Sequence, residues 1–290
     1  MLFEKKELYT TLAILGKNPL SVAGSTIVAA FFVMSLAAVL GGEKITPYDP
    51  RGIDLARALE PPSSAHLFGT DQLGRDILSR VIIAAPTDLV ICLIVVGASI
   101  LIGITVGSAS GYYGGRLDDF LMRTTDIFLA FPTVMLALAI SMSLGPGIFH
   151  VIEALIVVWW PIYARTARSE TLTVKQNAYV EAARAAGQTS FAIIRTHIIP
   201  NAISPLLVYG TLDLGFVILQ ASVLSYLGLG AQPPQSEWGR MVYDGQVFLN
   251  SAWWVAIIPG LVILLVVVGF SLFGDALRDA LDPKMRRLRV

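Results

Sequence analysis

Charged residues are scarce in this sequence, and cysteine is almost absent. Only 14% of the 290 residues are charged, whereas 55% are hydrophobic, and the mean hydropathy is +0.69. Soluble domains contain about 25% charged residues, so this composition excludes an ordinary soluble domain. The single cysteine, Cys92, lies in an apolar run. It cannot form an internal disulfide, and a metal site built from several thiolates is excluded.

Motifs for nucleotide binding and catalysis are also missing. The chain contains no Gly-x-x-x-x-Gly-Lys-Ser/Thr sequence, so it has no P-loop to hold nucleotide phosphates. Its three histidines, His66, His150 and His197, lie in separate segments without metal-site spacing, and no Ser-His-Asp set can be recognised. We therefore predict no catalytic site, no metal and no cofactor in this chain.

Long apolar segments are what the sequence has instead. Six of them are long and hydrophobic enough to cross a bilayer as helices. The first follows a lysine-containing N-terminus and is too long for the core of a signal peptide, so we expect it to be retained. We predict an all-α polytopic membrane protein with six transmembrane helices. The predicted spans are 20–40, 84–108, 124–144, 148–168, 203–229 and 252–274.

The distribution of lysine and arginine predicts the orientation. Cytoplasmic segments of membrane proteins are enriched in these residues, and with the N-terminus inside they hold fifteen against six. Residues 1–19 and 275–290 are then cytoplasmic and 41–83 form an external loop. The fifteen are Lys5, Lys6, Lys17, Arg116, Arg123, Arg165, Arg168, Lys175, Arg184, Arg195, Arg278, Lys284, Arg286, Arg287 and Arg289; the six are Lys44, Arg51, Arg57, Arg75, Arg80 and Arg240.

A polar segment between the fourth and fifth spans contains Glu-Ala-Ala-Arg-Ala-Ala-Gly at 181–187. The Ala-rich run 178–186 favours a helix, and Gly187 supplies a left-handed residue that closes it. Thr189 can cap a second short helix, which we expect Pro200 to end. The pattern predicts two short helices joined by a glycine elbow. One face of the second helix would carry Phe191, Ile194 and Ile198.

The order Glu-Ala-Ala, three residues, Gly, then twelve residues to Pro resembles the EAA loop of bacterial ABC importer permeases. The form His-Ile-Ile-Pro-Asn is similar to the peptide and nickel branch, although the general pattern prefers Ile and Leu where this chain has His197 and Ile199. The resemblance implies a type I importer permease fold with a core at 84–275, in which 177–201 dock into a cytoplasmic ATPase. The coupling residues it implies are Tyr179, Glu181, Ala182, Ala183, Arg184, Gly187, Phe191, Arg195, His197 and Pro200.

The external loop carries a second likeness to peptide-type importers. It contains Gly-Thr-Asp at 69–71 and Gly-Arg-Asp at 74–76, in a turn-rich segment. One interpretation is contact with an extracytoplasmic binding protein; the other is a structural cap on the helix ends. The residues involved are Gly69, Thr70, Asp71, Gly74, Arg75 and Asp76. Further likenesses at 230–239 and 274–283 extend the resemblance over nearly the whole chain after the first helix.

Ionisable residues within spans are candidates for the transport path, because a charge in hydrocarbon is costly. We expect Asp88 and Glu153 to lie near water at helix ends, and Asp213 to be the most buried of the three. Asp213 and Glu153 are our candidates for the translocation path. Asp213 could meet the ammonium group of a peptide there; the alternative for Asp213 is a pair with a neighbouring helix. Separately, glycines at 103, 107 and 111 predict a close approach by another helix.

The resemblance implies a permease subunit of an ATP-driven importer for dipeptides or oligopeptides in the bacterial inner membrane. Its implied partners are a second permease, two ATPase subunits that bind ATP and Mg²⁺, an external binding protein and the lipid bilayer, with no nucleic acid. Nickel, glutathione or another small solute remains an alternative cargo. An ion-coupled secondary transporter is the alternative from another class, but no inverted repeat supports it. An intramembrane protease has no supporting motif.

Overall fold

The computed structural model describes residues 18–281. The predicted cytoplasmic ends at 1–17 and 282–290, with their basic residues, lie outside this range. Across the described range all long regular elements are helices, and pairing of extended backbone is limited to a single bridge between Thr70 and Asp76. The helices are α1 (Pro19–Gly41), α2 (Ile77–Tyr113), α3 (Gly115–Leu129), α4 (Thr133–Leu144), α5 (Ile148–Val174), α6 (Ala178–Ala185), α7 (Ser190–Ile193), α8 (Ile199–Tyr226), α9 (Trp238–Gly245) and α10 (Trp254–Leu281).

Five helical segments are long and apolar enough to cross a membrane, and a sixth span is possible as a bent pair. The five contain α1, α2, α5, α8 and α10, which confirms the predicted all-α membrane fold. The bent pair is α3 and α4, which meet at 89°. The third predicted span, 124–144, therefore contains a right-angle break. Pro132 lies at this break, where it lacks an N–H for a helical hydrogen bond and disfavours helical geometry at Phe131.

The chain divides into two compact units. In the described range, the first comprises residues 18–93, 144–151 and 211–281. Its core forms where α1 packs against α10, because Gly24 lies directly against the backbone of Leu272 and Phe273. Phe31 of α1 is buried between Trp238, with ring centroids 5.3 Å apart, and Phe270, at 6.1 Å.

The second unit comprises residues 94–143 and 152–210. Here the glycines at 103, 107 and 111 of α2 lie against α5, and a methyl group added at any of them would collide with that helix. The predicted close approach is confirmed. Arg168 of α5 also binds Asp118 in the first turn of α3 through two hydrogen bonds of 2.6 Å.

Candidate coupling site

The elbow begins with α6 and closes at Gly187, as the sequence predicts. Gly187 has φ +80°, in the left-handed region that favours glycine, and Gln188 N–H donates to the Ala183 carbonyl at 3.2 Å. A Cβ atom at Gly187 would meet no atom within 4 Å. Glycine is therefore required here by the backbone conformation and not by a lack of space for a side chain.

The second helix of the elbow does not end at Pro200, so that prediction is wrong. Thr189 caps α7, and the chain then continues through a π-helical segment, Ile194–Ile198, directly into α8. The Ile199 N–H bonds to the carbonyl of Ile194, five residues back. Such a widened turn already skips a carbonyl, so it accommodates the missing N–H of Pro200 at the second position of α8.

A small apolar cluster holds the elbow together. It includes Val180 and Ala183 from α6, together with Ile193 and Ile198, which are five residues apart and are aligned by the π turn. Phe191 is instead 71% exposed, so the prediction that it shares one face with the buried Ile198 is wrong. The remaining members are Tyr112 and Val174, with Ile194 partly buried against them.

Tyr112 connects the elbow to the end of α2. The Arg184 guanidinium lies 5.8 Å from the centre of the Tyr112 ring, and Lys175 Nζ lies 5.6 Å from it. Lys175 Nζ also donates to the Tyr112 carbonyl at 2.6 Å. The sequence analysis does not predict the roles of Tyr112 and Lys175. The tyrosine pair that precedes two glycines could have indicated a packed end of α2.

Most of the predicted coupling residues are on the surface of the elbow. Tyr179 is 45% exposed, and its ring lies 6.0 Å from that of the half-buried His197. Ala183 is instead buried in the apolar cluster. The exposed ones are Tyr179, Glu181, Ala182, Arg184, Gly187, Phe191, Arg195 and Pro200.

The loop between α1 and α2 has the opposite construction, with its charges inside. Asp71 is fully buried; its Oδ1 accepts the backbone N–H groups of Leu73 and Arg75, and its Oδ2 binds Arg75 Nε at 2.7 Å and Arg80 Nη1 at 2.5 Å. Arg80 Nη2 lies 3.8 Å from Asp244 of α9. These contacts bind the loop to the start of α2 and to α9.

A second buried group completes this frame. Asp76 accepts the backbone N–H of Ser79 at 2.8 Å and its hydroxyl at 2.7 Å, and its Oδ1 lies 2.9 Å from His66 Nδ1. The Thr70 hydroxyl donates to the Arg57 carbonyl at 2.5 Å. The Trp254 indole N–H donates to the Thr70 carbonyl at 3.2 Å. All of these partners lie inside the same unit.

Of the two interpretations of the loop signature, its burial favours the structural cap over direct contact with a binding protein. Five of its six residues are buried, and only 12% of the Arg75 side chain is accessible. Groups buried in this way cannot meet a second protein. The buried residues are Gly69, Thr70, Asp71, Gly74 and Asp76.

Two of the three ionisable residues within spans differ from expectation. Asp88 is buried, with 1% exposure, whereas Glu153 is exposed and Asp213 is half-buried. The expectation that Asp213 is the most buried is therefore wrong. Asp88 lies beside Glu237, which belongs to the family-like segment 230–239. That segment gives no sign of the contact.

The fold and the elbow together define a class: a multi-pass helical membrane protein with an exposed polar elbow between two long helices. Comparison with known proteins assigns the family. Residues 99–287 match the family model described as the inner membrane component of binding-protein-dependent transport systems. The chain belongs to this family.

Relatives and a solved structure agree with this assignment. A probable D,D-dipeptide transport system permease of Escherichia coli K12 is 42% identical, over 92% of this chain and 88% of its own length. A glutathione transport system permease of Pectobacterium atrosepticum is 40% identical, over 90% and 87%. The inward-facing MetNI methionine ABC transporter covers 67% of this chain and 93% of its own, with TM-score 0.54 and 20% identity, so it supports the fold alone. These findings favour a permease subunit over a self-contained ion-coupled transporter.

Proposed function

We propose that this permease moves short peptides across the bacterial inner membrane and that ATP hydrolysis by separate cytoplasmic subunits drives it. The observation that carries the proposal is the two-sided elbow. Its outer side presents Glu181 and Arg184, while its inner side packs Val180 and Ala183 against Tyr112 near the end of α2. A partner that pulls on the outer side would displace α2 through this cluster. ATP and Mg²⁺ would be bound by that partner.

A photocrosslinking experiment tests this docking. A benzophenone amino acid in place of Glu181 should crosslink to an ATPase subunit in native membranes. The same probe at Val247, which is 76% exposed in the segment before α10, serves as the matched control. Equal ATPase crosslinking from both positions, or none from position 181 in an assembled complex, would contradict the proposed docking.

The proposed orientation places both termini and the elbow in the cytoplasm and the loop of residues 41–83 outside. Cys92 is buried, so it should not react with an aqueous thiol reagent and single-cysteine labelling has a low background. A membrane-impermeant maleimide should label Leu55→Cys in intact spheroplasts and label Ala182→Cys only after lysis. The reverse pattern would overturn the orientation.

The proposed cargo is a short peptide with a free ammonium and carboxylate, which is the chemistry shared by D,D-dipeptides and glutathione. Relatives named for both cargoes support this class. Nickel remains the alternative cargo, and competition for uptake separates the two: peptides should compete and Ni²⁺ should not. Dependence on an external binding protein and on a second permease is part of the same proposal.

Asp213 and Glu153 are the candidates for contact with the cargo ammonium. Asp213 is half-buried in α8 and Glu153 is exposed on α5. We expect Asp213→Asn to lower uptake of a dipeptide by about tenfold, which corresponds to roughly 1.4 kcal/mol. The complex should remain assembled, as judged by co-purification. Unchanged affinity and rate would remove Asp213 from the path.

The exposed part of the external loop is the surface we propose for the binding protein. Ile53 and Leu55 are 63% and 68% exposed, and Arg51 and Arg57 lie beside them in sequence. The buried frame holds this segment in place, since Asp54 N–H donates to the Leu73 carbonyl at 3.0 Å. Leu55→Glu should abolish stimulation of ATP hydrolysis by the binding protein and leave basal hydrolysis intact. Leu67→Glu, a substitution at another exposed leucine of the loop, is the control.

A further inference from the structure

Two buried carboxyl groups lie against each other where α9 meets α2. Asp88 of α2 is 1% exposed and Glu237, the N-cap of α9, is fully buried. Asp88 Oδ2 accepts the backbone N–H of Trp238 at 3.3 Å, and Trp238 directly follows Glu237, so the two buried carboxyl groups lie side by side. A carboxylate has no hydrogen to donate, so a hydrogen bond between two carboxyl groups requires a proton on one of them.

We propose that Asp88 and Glu237 form a proton-binding site in which the Asp88 carboxyl holds the proton and donates it to the Glu237 carboxylate. The proposal does not depend on the cargo or on the ATPase partners. The site lies where α2 contacts α9 within the first unit.

The distribution of hydrogen bonds decides which carboxyl group is the acid. Glu237 accepts the backbone N–H groups of Gly239 and Arg240, each at 2.8 Å, and a hydrogen bond from the Ser225 hydroxyl. It also caps the N-terminus of α9, where a negative charge is favourable. Asp88 accepts one weaker bond, from Trp238 N–H at 3.3 Å, and no donor among residues 18–281 reaches its Oδ1. Glu237 is therefore the better anion.

No basic side chain within the described unit compensates a second negative charge. Arg240 binds Asp244 through Nε at 2.9 Å, and Arg80 binds Asp71 at 2.5 Å and approaches Asp244. The Cys92 thiol, one turn along α2, donates to the Leu89 carbonyl.

The other helices packed here contribute uncharged side chains. They are Phe31 of α1, whose ring packs on Trp238, and Ser222 of α8, which lies against Gly239. Burial raises the pKa of the Glu237 carboxyl, which agrees with a site that disfavours two charges. Like charges in such contact cannot both remain ionised, because each is removed from water.

The shared proton links α9 to α2 next to Trp238, which also contacts α2. The Trp238 indole N–H donates to the Val81 carbonyl of α2 at 3.0 Å, and its ring packs on Phe31. The folded pair binds one more proton than the unfolded chain at neutral pH. Stability contributed by the pair is therefore greatest in acid and declines as the pH rises above the usual carboxyl range, about 4.

Infrared spectroscopy of the purified complex tests the proposal directly. Wild type should show the carbonyl stretch of a protonated carboxylic acid that persists at neutral and mildly alkaline pH. Asp88→Asn should lose this band, and the exposed control Asp49→Asn should keep it. Absence of the band in wild type, or its persistence in Asp88→Asn, would overturn the proposal.

Thermal unfolding supplies a second readout. Asp88→Asn retains a donor toward Glu237, so it should fold. Between about pH 5 and 9 its melting temperature should fall less than that of wild type. Glu237→Gln should destabilise α9 more than Asp88→Asn does, because it removes the charged cap. Identical pH slopes in wild type and Asp88→Asn would contradict a shared proton. If the melting temperature rises with Na⁺ at constant ionic strength and the infrared band of the acid is absent, the site binds a metal cation and the proton proposal is wrong.

Discussion

The loop between α1 and α2 and the elbow between α5 and α8 are both polar, but they place their charges on opposite sides. In the loop, Asp71 is fully buried and bound to Arg75 and Arg80. In the elbow, Glu181 and Arg184 are exposed around a small apolar core. A buried, fully paired charge fixes local structure, whereas an exposed charge above a small apolar core is available to a partner. Similar residue types therefore serve different purposes.

The strongest test of this contrast is Asp71→Ala. It would leave the buried Arg80 and the largely buried Arg75 without this carboxylate, and loss of one partner from a buried ion pair costs about 3–5 kcal/mol. We expect a large fall in melting temperature and in the yield of folded protein. Glu43→Ala, which removes an exposed pair with Arg51 at 4.0 Å, is the control and should cost about 0–1 kcal/mol. Equal effects would mean that the loop charges are not structural.

The next largest effect is expected from Ile193→Ala in the elbow cluster. Ile193 is completely buried, and truncation of a buried isoleucine to alanine costs about 2–5 kcal/mol. Because the cluster is small, the damage should be local. Faster amide hydrogen exchange should be confined to residues 178–198. The exposed Ile257→Ala is the matched control, and protection that is unchanged in Ile193→Ala would refute the role of the cluster.

Gly187→Val tests the elbow through backbone conformation. A left-handed backbone costs a side-chain-bearing residue roughly 1–2 kcal/mol, and more for a β-branched one. We expect normal insertion and assembly with loss of coupled transport, measured as ATP hydrolysis without uptake. Gly187→Asn should behave nearly as wild type, since asparagine tolerates this conformation. Wild-type transport by the valine variant would contradict the elbow model.

The smallest effect on stability is expected from Glu181→Gln together with Arg184→Gln. Exposed substitutions usually change stability by less than about 0.5 kcal/mol. The Kd for the ATPase subunit should nevertheless rise, and the difference from wild type should shrink at high salt. Asp119→Asn, an exposed substitution on α3, is the control. A lower melting temperature with unchanged ATPase affinity would assign these charges to the fold.

Much of the fold follows from local sequence. Runs of apolar residues long enough to span a bilayer specify helices wherever they occur, and the left-handed closure at Gly187 depends on one residue type in one place. The glycines at 103, 107 and 111 likewise predicted a close helix contact, because their spacing puts them on one face of α2. These features require no knowledge of distant parts of the chain.

What the tertiary structure decided is which side of each element is buried. The sequence around Asp71 and Asp76 is compatible with a surface patch or with an internal frame, and only partners as distant as Asp244 and Trp254 select the frame. The continuation through Pro200 depends on a π turn that no propensity predicts, since it aligns Ile193 with Ile198 on the apolar cluster. The contact of Asp88 with Glu237 joins residues far apart in the chain. Composition and spacing determined the helices; long-range packing determined the environment of the buried carboxyl groups of Asp71, Asp76 and Asp88.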